Sequence, residues 1–136
     1  VEGRDILEIG CGGGQNAIAL AKWGAKAVGL DISEEQIKYA TRLARKQKVP
    51  VQFHVGNMQD MNMLNEESFD IVLSSCAIGY SENPGQVFHE AFRILRRDGL
   101  FVFCVMHPIA IRGRLVRYGG RKYWGLGNYF YRGRRL

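Results

Sequence analysis

One acid and four glycines fill five of the seven positions of EIGCGGG, residues 8–14, directly behind the apolar pair Ile6-Leu7. Glycines at this density let the backbone turn sharply and approach a ligand closely, because no Cβ stands in the way. A strand running through such a turn into a helix presents a helix N-terminus, which favours an anionic group. The chemistry indicated is the cradling of a nucleotide-like molecule. Spacing narrows the choice. A dinucleotide turn needs glycines at the first, third and sixth positions of GxGxxG. Counting from Gly10, the third position is Gly12 but the sixth is Gln15, and the last glycine arrives one residue early, at Gly14. The nicotinamide reading therefore lacks its fingerprint.

Few other residues offer chemistry. Cys11, Cys76 and Cys104 are odd in number and scattered, with no CxxC pair. This argues against a disulfide framework or a zinc site and fits a reducing, cytoplasmic setting. They are expected to be small residues of the core, although Cys76, in a turn, is also a candidate to line a ligand site. His54 and His89 fall in a strand and a helix and are expected to be structural or solvent-facing. His107 follows the last strand, on the side of the sheet where the glycine loop lies. It is the best single candidate for a general base.

The net charge of +6 is unevenly spread. From His107 onward there are eight basic residues and no acid, which leaves 11 basic against 13 acidic residues before it. Contact with nucleic acid would have to rest on that tail. No apolar run approaches the ~20 residues that span a bilayer, and Glu2, Arg4, Asp5 and Glu8 interrupt the only apolar segment near the start, unlike a signal peptide.

The elements that must position these residues follow from periodicity. DILEI (5–9) reads as a strand entering the glycines, and residues 15–23 as a helix ended by Gly24. Residues 27–30 form a second strand closed by Asp31. Ser33 and Gln36 make a capping box for a helix whose apolar face includes Ile37, Ala40 and Ala44, and which Pro50 stops. Residues 51–55 alternate as a third strand, turned by Gly56-Asn57, and 69–74 form a fourth. Pro84 opens a helix with apolar positions Val87, Phe88, Ala91, Phe92 and Leu95, broken at Asp98-Gly99 before a fifth strand over 100–106. Apolar strands alternating with amphipathic helices imply an α/β, doubly wound, mainly parallel sheet covered on both faces. Residues 1–108 form this core. Residues 109–136, rich in Arg, Gly and Tyr, read as an irregular segment holding at most a short helix or hairpin. Only four residues precede the first strand, so the domain is expected to be incomplete at both ends.

The ExGxGxG spacing resembles motif I of the class I S-adenosylmethionine-dependent methyltransferases. GLDIS (29–33), GNMQDM (56–61), FDIVLSSCAIGY (69–80) and ENPGQVFHEAFRILRRDGLFVF (82–103) fall in that family's order, the last being similar to its small-molecule, type 11 branch. The resemblance implies a Rossmann-like fold with S-adenosylmethionine lying across the carboxyl ends of the strands. It implies that Gly10, Gly12 and Gly14 admit the cofactor and that Glu8 orients the loop or the methionine ammonium. Asp31 would accept both ribose hydroxyls, Ile32 would pack on the adenine, and Asn57 and Met58 would contact the base. Asn57 stands where the family usually has Asp. The turn Ser74-Ser75-Cys76-Ala77 lacks the [DNS]-P-P-[YFW] signature of exocyclic-amine methyltransferases, which disfavours that activity. The expected function is methyl transfer to a small molecule at oxygen, carbon or nitrogen, the basic-aromatic segment serving as a substrate-side lid. The alternatives are an RNA methyltransferase and a non-catalytic cofactor-binding fragment.

Overall fold

The computed structural model describes residues 1–107 and 113–126. Two compact units divide the chain, Val1–Val105 and Met106–Leu136. In the first, the elements run β1 (Asp5–Ile9), α1 (Gln15–Lys22), β2 (Lys26–Asp31), α2 (Glu34–Lys46), β3 (Gln52–Val55), β4 (Phe69–Ser75), α3 (Pro84–Ile94) and β5 (Leu95–Cys104). The five strands form one parallel sheet in the order β3-β2-β1-β4-β5. That order runs outward from β1 in both directions. Right-handed crossovers then carry α1 and α2 to one face and α3 to the other, the doubly wound arrangement that the alternating pattern implied.

Alternation along β1 serves both faces at once. Leu7 and Ile9 are fully buried in a cluster with Val72, Val87, Ala91 and Ile94, on the face that α3 covers. Side chains of this kind stabilise the fold by roughly 1.5–3 kcal/mol each when fully buried. Glu8 points the other way and meets Asn16 and Ala17 of α1. The start of α2 is as the sequence dictates: Ser33 Oγ accepts from the Gln36 N–H at 3.3 Å. Glu34 and Glu35 in the first turn and Arg45 and Lys46 in the last complement the helix dipole.

Two expectations about the third helix need correction. The third helix does not reach Asp98-Gly99; it ends at Ile94, and Leu95 is already extended at φ −72° and ψ 136°. The cause is tertiary. Arg96 forms ion pairs with Asp5 on β1 at 2.9 Å and Asp70 on β4 at 3.0 Å, which holds this stretch in the sheet. The β4–β5 register then shifts between Phe69 and Ile71. Phe92, expected on the buried face, is 82% exposed. Along β5, the last strand in the order, Leu100, Val102 and Phe103 are exposed among the described residues. Phe88 packs edge-on against Phe101 and Phe103.

In the second unit, β6 (Gly113–Tyr118) and β7 (Arg121–Leu126) pair antiparallel around Gly119-Gly120. A two-residue glycine loop favours this hairpin, and it is the regular piece within the segment read as irregular. Residues 109–112 and 127–136 of that segment, including Arg112, Tyr129, Phe130, Tyr131, Arg132, Arg134 and Arg135, lie outside the described residues. No helix among the described residues is long and apolar enough to cross a membrane.

Between β3 and β4 the chain makes no helix. Met61, fully buried, pins this loop into the α3-side core. Its N–H donates to Glu90 Oε2 at 2.8 Å, and its carbonyl accepts from Arg93 Nη2 at 2.9 Å. Arg93 also donates to the Leu64 carbonyl at 3.1 Å and pairs with Glu90 at 2.9 Å. The Arg93 hydrogen bond holds the Glu90 carboxyl below its ordinary range, against the opposing effect of burial. Arg93→Met leaves Glu90 buried without its cation, an expected loss of about 3 kcal/mol in urea unfolding at neutral pH. Because the folded-state pKa is lowered, the stability Glu90 confers is present above the ordinary carboxylate value of about 4.3 and is lost as pH falls through the folded value. The gap between parent and variant should therefore narrow on acidification. A gap that stays constant with pH would contradict this reading of the pair.

Candidate functional site

A cleft of about 670 Å³ opens at the C-terminal ends of β1, β2 and β4, within the size range of small-molecule sites. Parallel sheets place their crevice there, where the strand order reverses on either side of β1. Of the residues singled out from sequence, Gly10, Asp31, Ile32, Asn57, Met58 and Cys76 line it. Glu8, Gly12 and Gly14 are not among the lining residues; they belong to the strand and loop that carry Gly10.

Asp31 ends β2. Its Oδ2 accepts from the Gly12 N–H at 2.8 Å and its Oδ1 from the Ser33 N–H at 2.9 Å. A carboxylate has about four acceptor sites, so each oxygen keeps one after these bonds. Ile32, next along, is 71% exposed, an apolar face presented at the cleft.

Glu8 is only 2% exposed. Its Oε1 accepts from Asn16 Nδ2 at 2.8 Å and its Oε2 from the Ala17 N–H at 3.0 Å. Gly14, the cap residue of α1, has no side chain to hold the first-turn amides. Glu8 does so from the neighbouring strand and sets a negative charge against the helix N-terminus. Burial pushes its carboxyl above the ordinary range, the bonds from Asn16 and Ala17 pull it down, and the Asp31 charge adds to the rise.

Two glycines are required where they stand. Gly10 has φ +66°, and a Cβ there would collide with the Cβ of Ala77. Gly14 has φ +76°, and its Cβ would lie 2.7 Å from Phe53 Cζ and 2.8 Å from Ala40 Cβ. The first lets the turn after β4 close on the glycine loop. The second lets α1 start against α2 and β3.

Asn57 Oδ1 accepts from the Gln59 N–H at 2.9 Å, fixing the turn that carries Met58. Gln59 itself was not legible in the sequence. Its Oε1 accepts from Ser81 Oγ at 2.9 Å and from the Asn83 N–H at 2.6 Å. It thereby ties the loop after β3 to the entrance of α3. Gly56, Ser75, Ala77, Tyr80, Ser81 and Glu82 also line the cleft. Gly56, Ser75, Ala77 and Tyr80 fall within GNMQDM and FDIVLSSCAIGY, whereas Ser81 and Glu82 follow a short 3-10 turn, Ile78–Tyr80, and no periodicity singled out any of the six. His107 stands three residues beyond β5, in the second unit.

The Gly10–Ala77 contact is open to a double substitution. In the parent, Gly10→Ala adds a collision to the backbone strain. In an Ala77→Gly background only the left-handed cost of about 1–2 kcal/mol remains. Urea unfolding of the four proteins should show the larger loss in the parent background, and equal losses would exclude the contact.

Comparison with known proteins agrees with this geometry. Residues 7–103 match the family described as Methyltransferase domain. The chain is 32% identical over 109 residues to an uncharacterized methyltransferase, YbaJ, of Bacillus subtilis, the match covering 80% of this chain and 43% of that protein. It is 27% identical over 107 residues to a ubiquinone biosynthesis O-methyltransferase of Hydrogenovibrio crunogenus, covering 79% and 44%. The solved structure of an S-adenosylmethionine dependent methyltransferase from Mesorhizobium loti is similar at a TM-score of 0.78 and 29% identity, covering 95% of this chain and 59% of that one. The chain thus spans less than half the length of these curated relatives. The match takes in both ends of the cleft, from β1 through β5, and the chain belongs to the methyltransferase-domain family, whose cofactor is S-adenosylmethionine.

Proposed function

We propose that the cleft holds S-adenosylmethionine and that the protein transfers a methyl group to a small-molecule acceptor at oxygen, carbon or nitrogen. The observation that carries this reading is the Asp31 carboxylate. Asp31 lines the cleft, each of its oxygens has an acceptor site left after holding Gly12 and Ser33, and a ribose diol offers two donors. The cofactor supplies a methyl carbon already activated by a sulfonium, so the protein has mainly to bind, orient and exclude water. Ile32 would pack on the adenine. Asn57 Oδ1 keeps an acceptor site for the exocyclic amine, and Met58 would offer its backbone N–H and soft side chain to the ring. Gly10 and Cys76 would border the methionine end, with Glu8, Gly12 and Gly14 holding the loop in shape. A base is needed only where the acceptor must lose a proton, and His107, in the second unit, is the candidate that the sequence offers. The ubiquinone biosynthesis O-methyltransferase among the relatives supports a small acceptor.

S-adenosylhomocysteine should raise the melting temperature while NAD and NADP leave it unchanged, because a ligand stabilises the state it binds. Asp31→Ala should weaken S-adenosylhomocysteine binding by about 1.5–3 kcal/mol in calorimetry, the scale of hydrogen bonds to a charged group. The unliganded variant is melted in parallel, since Asp31 also holds backbone. A shift with NAD alone, or undiminished binding by the variant, would overturn the assignment.

RNA is the second reading, favoured by the concentration of eight basic residues beyond His107 and by the exposed Arg117, Arg121 and Lys122 of the hairpin. A single strand engaged at five or more phosphates gives a slope of log K against log salt steeper than about −3.5, at roughly −0.7 per contact. The expected result is weak binding that fades by physiological salt, with no label transferred to RNA from methyl-labelled cofactor. Steep, tight binding with labelled RNA would replace the small-molecule reading.

A further inference from the structure

Two thiols stand together where β4 and β5 end. Cys76 Sγ and Cys104 Sγ are 3.4 Å apart, and Ser75 Oγ lies 3.9 Å from Cys104 Sγ. The backbone enforces this closeness. Ser75 is opposite Cys104 in the parallel register, and the Cys76 N–H donates to the Cys104 carbonyl at 3.1 Å. Cys11 is buried as expected of a core residue, but Cys76 and Cys104, expected in the core as well, are exposed. Cys76 has φ +58°, an uncommon conformation for a residue with a side chain, and it lines the cleft.

We propose that Cys76 and Cys104 form a reversible dithiol–disulfide site whose oxidation weakens cofactor binding in the adjoining cleft. The binding half of this statement rests on the function proposed above. The oxidant is a low-molecular-weight disulfide, of which glutathione disulfide is the probe. The Cys104 thiolate attacks one of its sulfurs, forming a mixed disulfide and expelling one glutathione thiolate. The Cys76 thiolate then attacks the Cys104 sulfur and expels the second. Two protein thiols are oxidised, one disulfide is reduced to two glutathiones, and the two thiol protons end on the expelled thiolates. From 3.4 Å the sulfurs need approach by about 1.4 Å to reach bonding distance.

The order of attack follows from the surroundings. Cys104 is drawn below the ordinary thiol range by the Cys76 side chain, by the Cys76 backbone and by Ser75. Cys11, by contrast, is pushed up to about 12, chiefly by burial, and remains an inert thiol. The consequence for the cleft follows from packing. Ala77 is the next residue after Cys76, and it sits so close to Gly10 that no Cβ fits between them. Drawing Cys76 toward β5 pulls on Ala77, which is packed against Gly10 in the glycine loop. Exposed, strained thiol pairs are where reversible oxidation concentrates in otherwise reducing compartments.

The test equilibrates the protein with glutathione disulfide or with dithiothreitol. Intact mass and peptide mapping read the bond; calorimetry with S-adenosylhomocysteine reads the cleft. The expected result is a Cys76–Cys104 link in the oxidised sample, binding at least tenfold weaker, and full recovery on reduction. Cys104→Ser should bind alike under both conditions. Absence of the link, or a link that leaves affinity unchanged, overturns the proposal. If the reduced parent fails to bind S-adenosylhomocysteine, the reading of the cleft falls, and the mass measurement still decides whether the pair is oxidised.

Discussion

Asp31 accepts a backbone N–H from each of two different segments, Gly12 at 2.8 Å and Ser33 at 2.9 Å, and the site is arranged around these two bonds. Hydrogen bonds to a charged group contribute about 1.5–3 kcal/mol each. Here they join the glycine loop, the end of β2 and the start of α2 at one carboxylate. Glu8, one strand over, does the same for the other end of the loop by holding Asn16 and Ala17. The glycine loop is therefore fixed between two acids of the chain itself. A loop already ordered loses little further entropy on binding. The carboxylate that lines the cleft is also the group that keeps the cleft in shape.

The opposite wall is built differently. The chain between β3 and β4 has no helix to satisfy its backbone, and buried backbone groups must find partners somewhere. Glu90 and Arg93, from α3, supply them to Met61 and Leu64. Gln59 then ties the same loop to the residues that enter α3. The turn after β4 is gripped from two sides, by Gly10 through Ala77 and by Cys104 through Cys76. Movement of this turn is thus coupled to β5 on one side and to the glycine loop on the other. That coupling makes a pair of thiols at the strand ends relevant to what the cleft admits.

The fold was largely legible because its signals are local and periodic. Ser33 with Gln36, the apolar spacing of Ile37, Ala40 and Ala44, and the strand before the glycines each fix an element within a few residues. Alternation of strands and helices then leaves few topologies once crossovers are right-handed. The lining that Gly10, Asp31, Asn57 and Met58 give the cleft was legible for the same reason, since a glycine turn, an acid ending a strand and a short loop recur at characteristic spacings. Where the reading failed, a distant partner outweighed the local signal. Arg96 reads as a helical residue until Asp5 and Asp70 are brought beside it.

The sequence by itself determined the parallel α/β architecture, the glycine loop, the acid at the end of β2 and the confinement of excess positive charge to the last thirty residues. Tertiary structure decided the rest. It gave Glu8 its place under the α1 N-terminus and gave Gln59 its two donors. It drew Leu95 to Gly99 out of a helix and into β5. It set Cys76 against Cys104, residues separated by 28 positions in the chain. Periodicity records which face of an element is apolar, because burial repeats with every turn or every second residue. It carries no record of which side chains from separate elements meet at the strand ends, because register and crossover geometry set those distances only when the sheet closes.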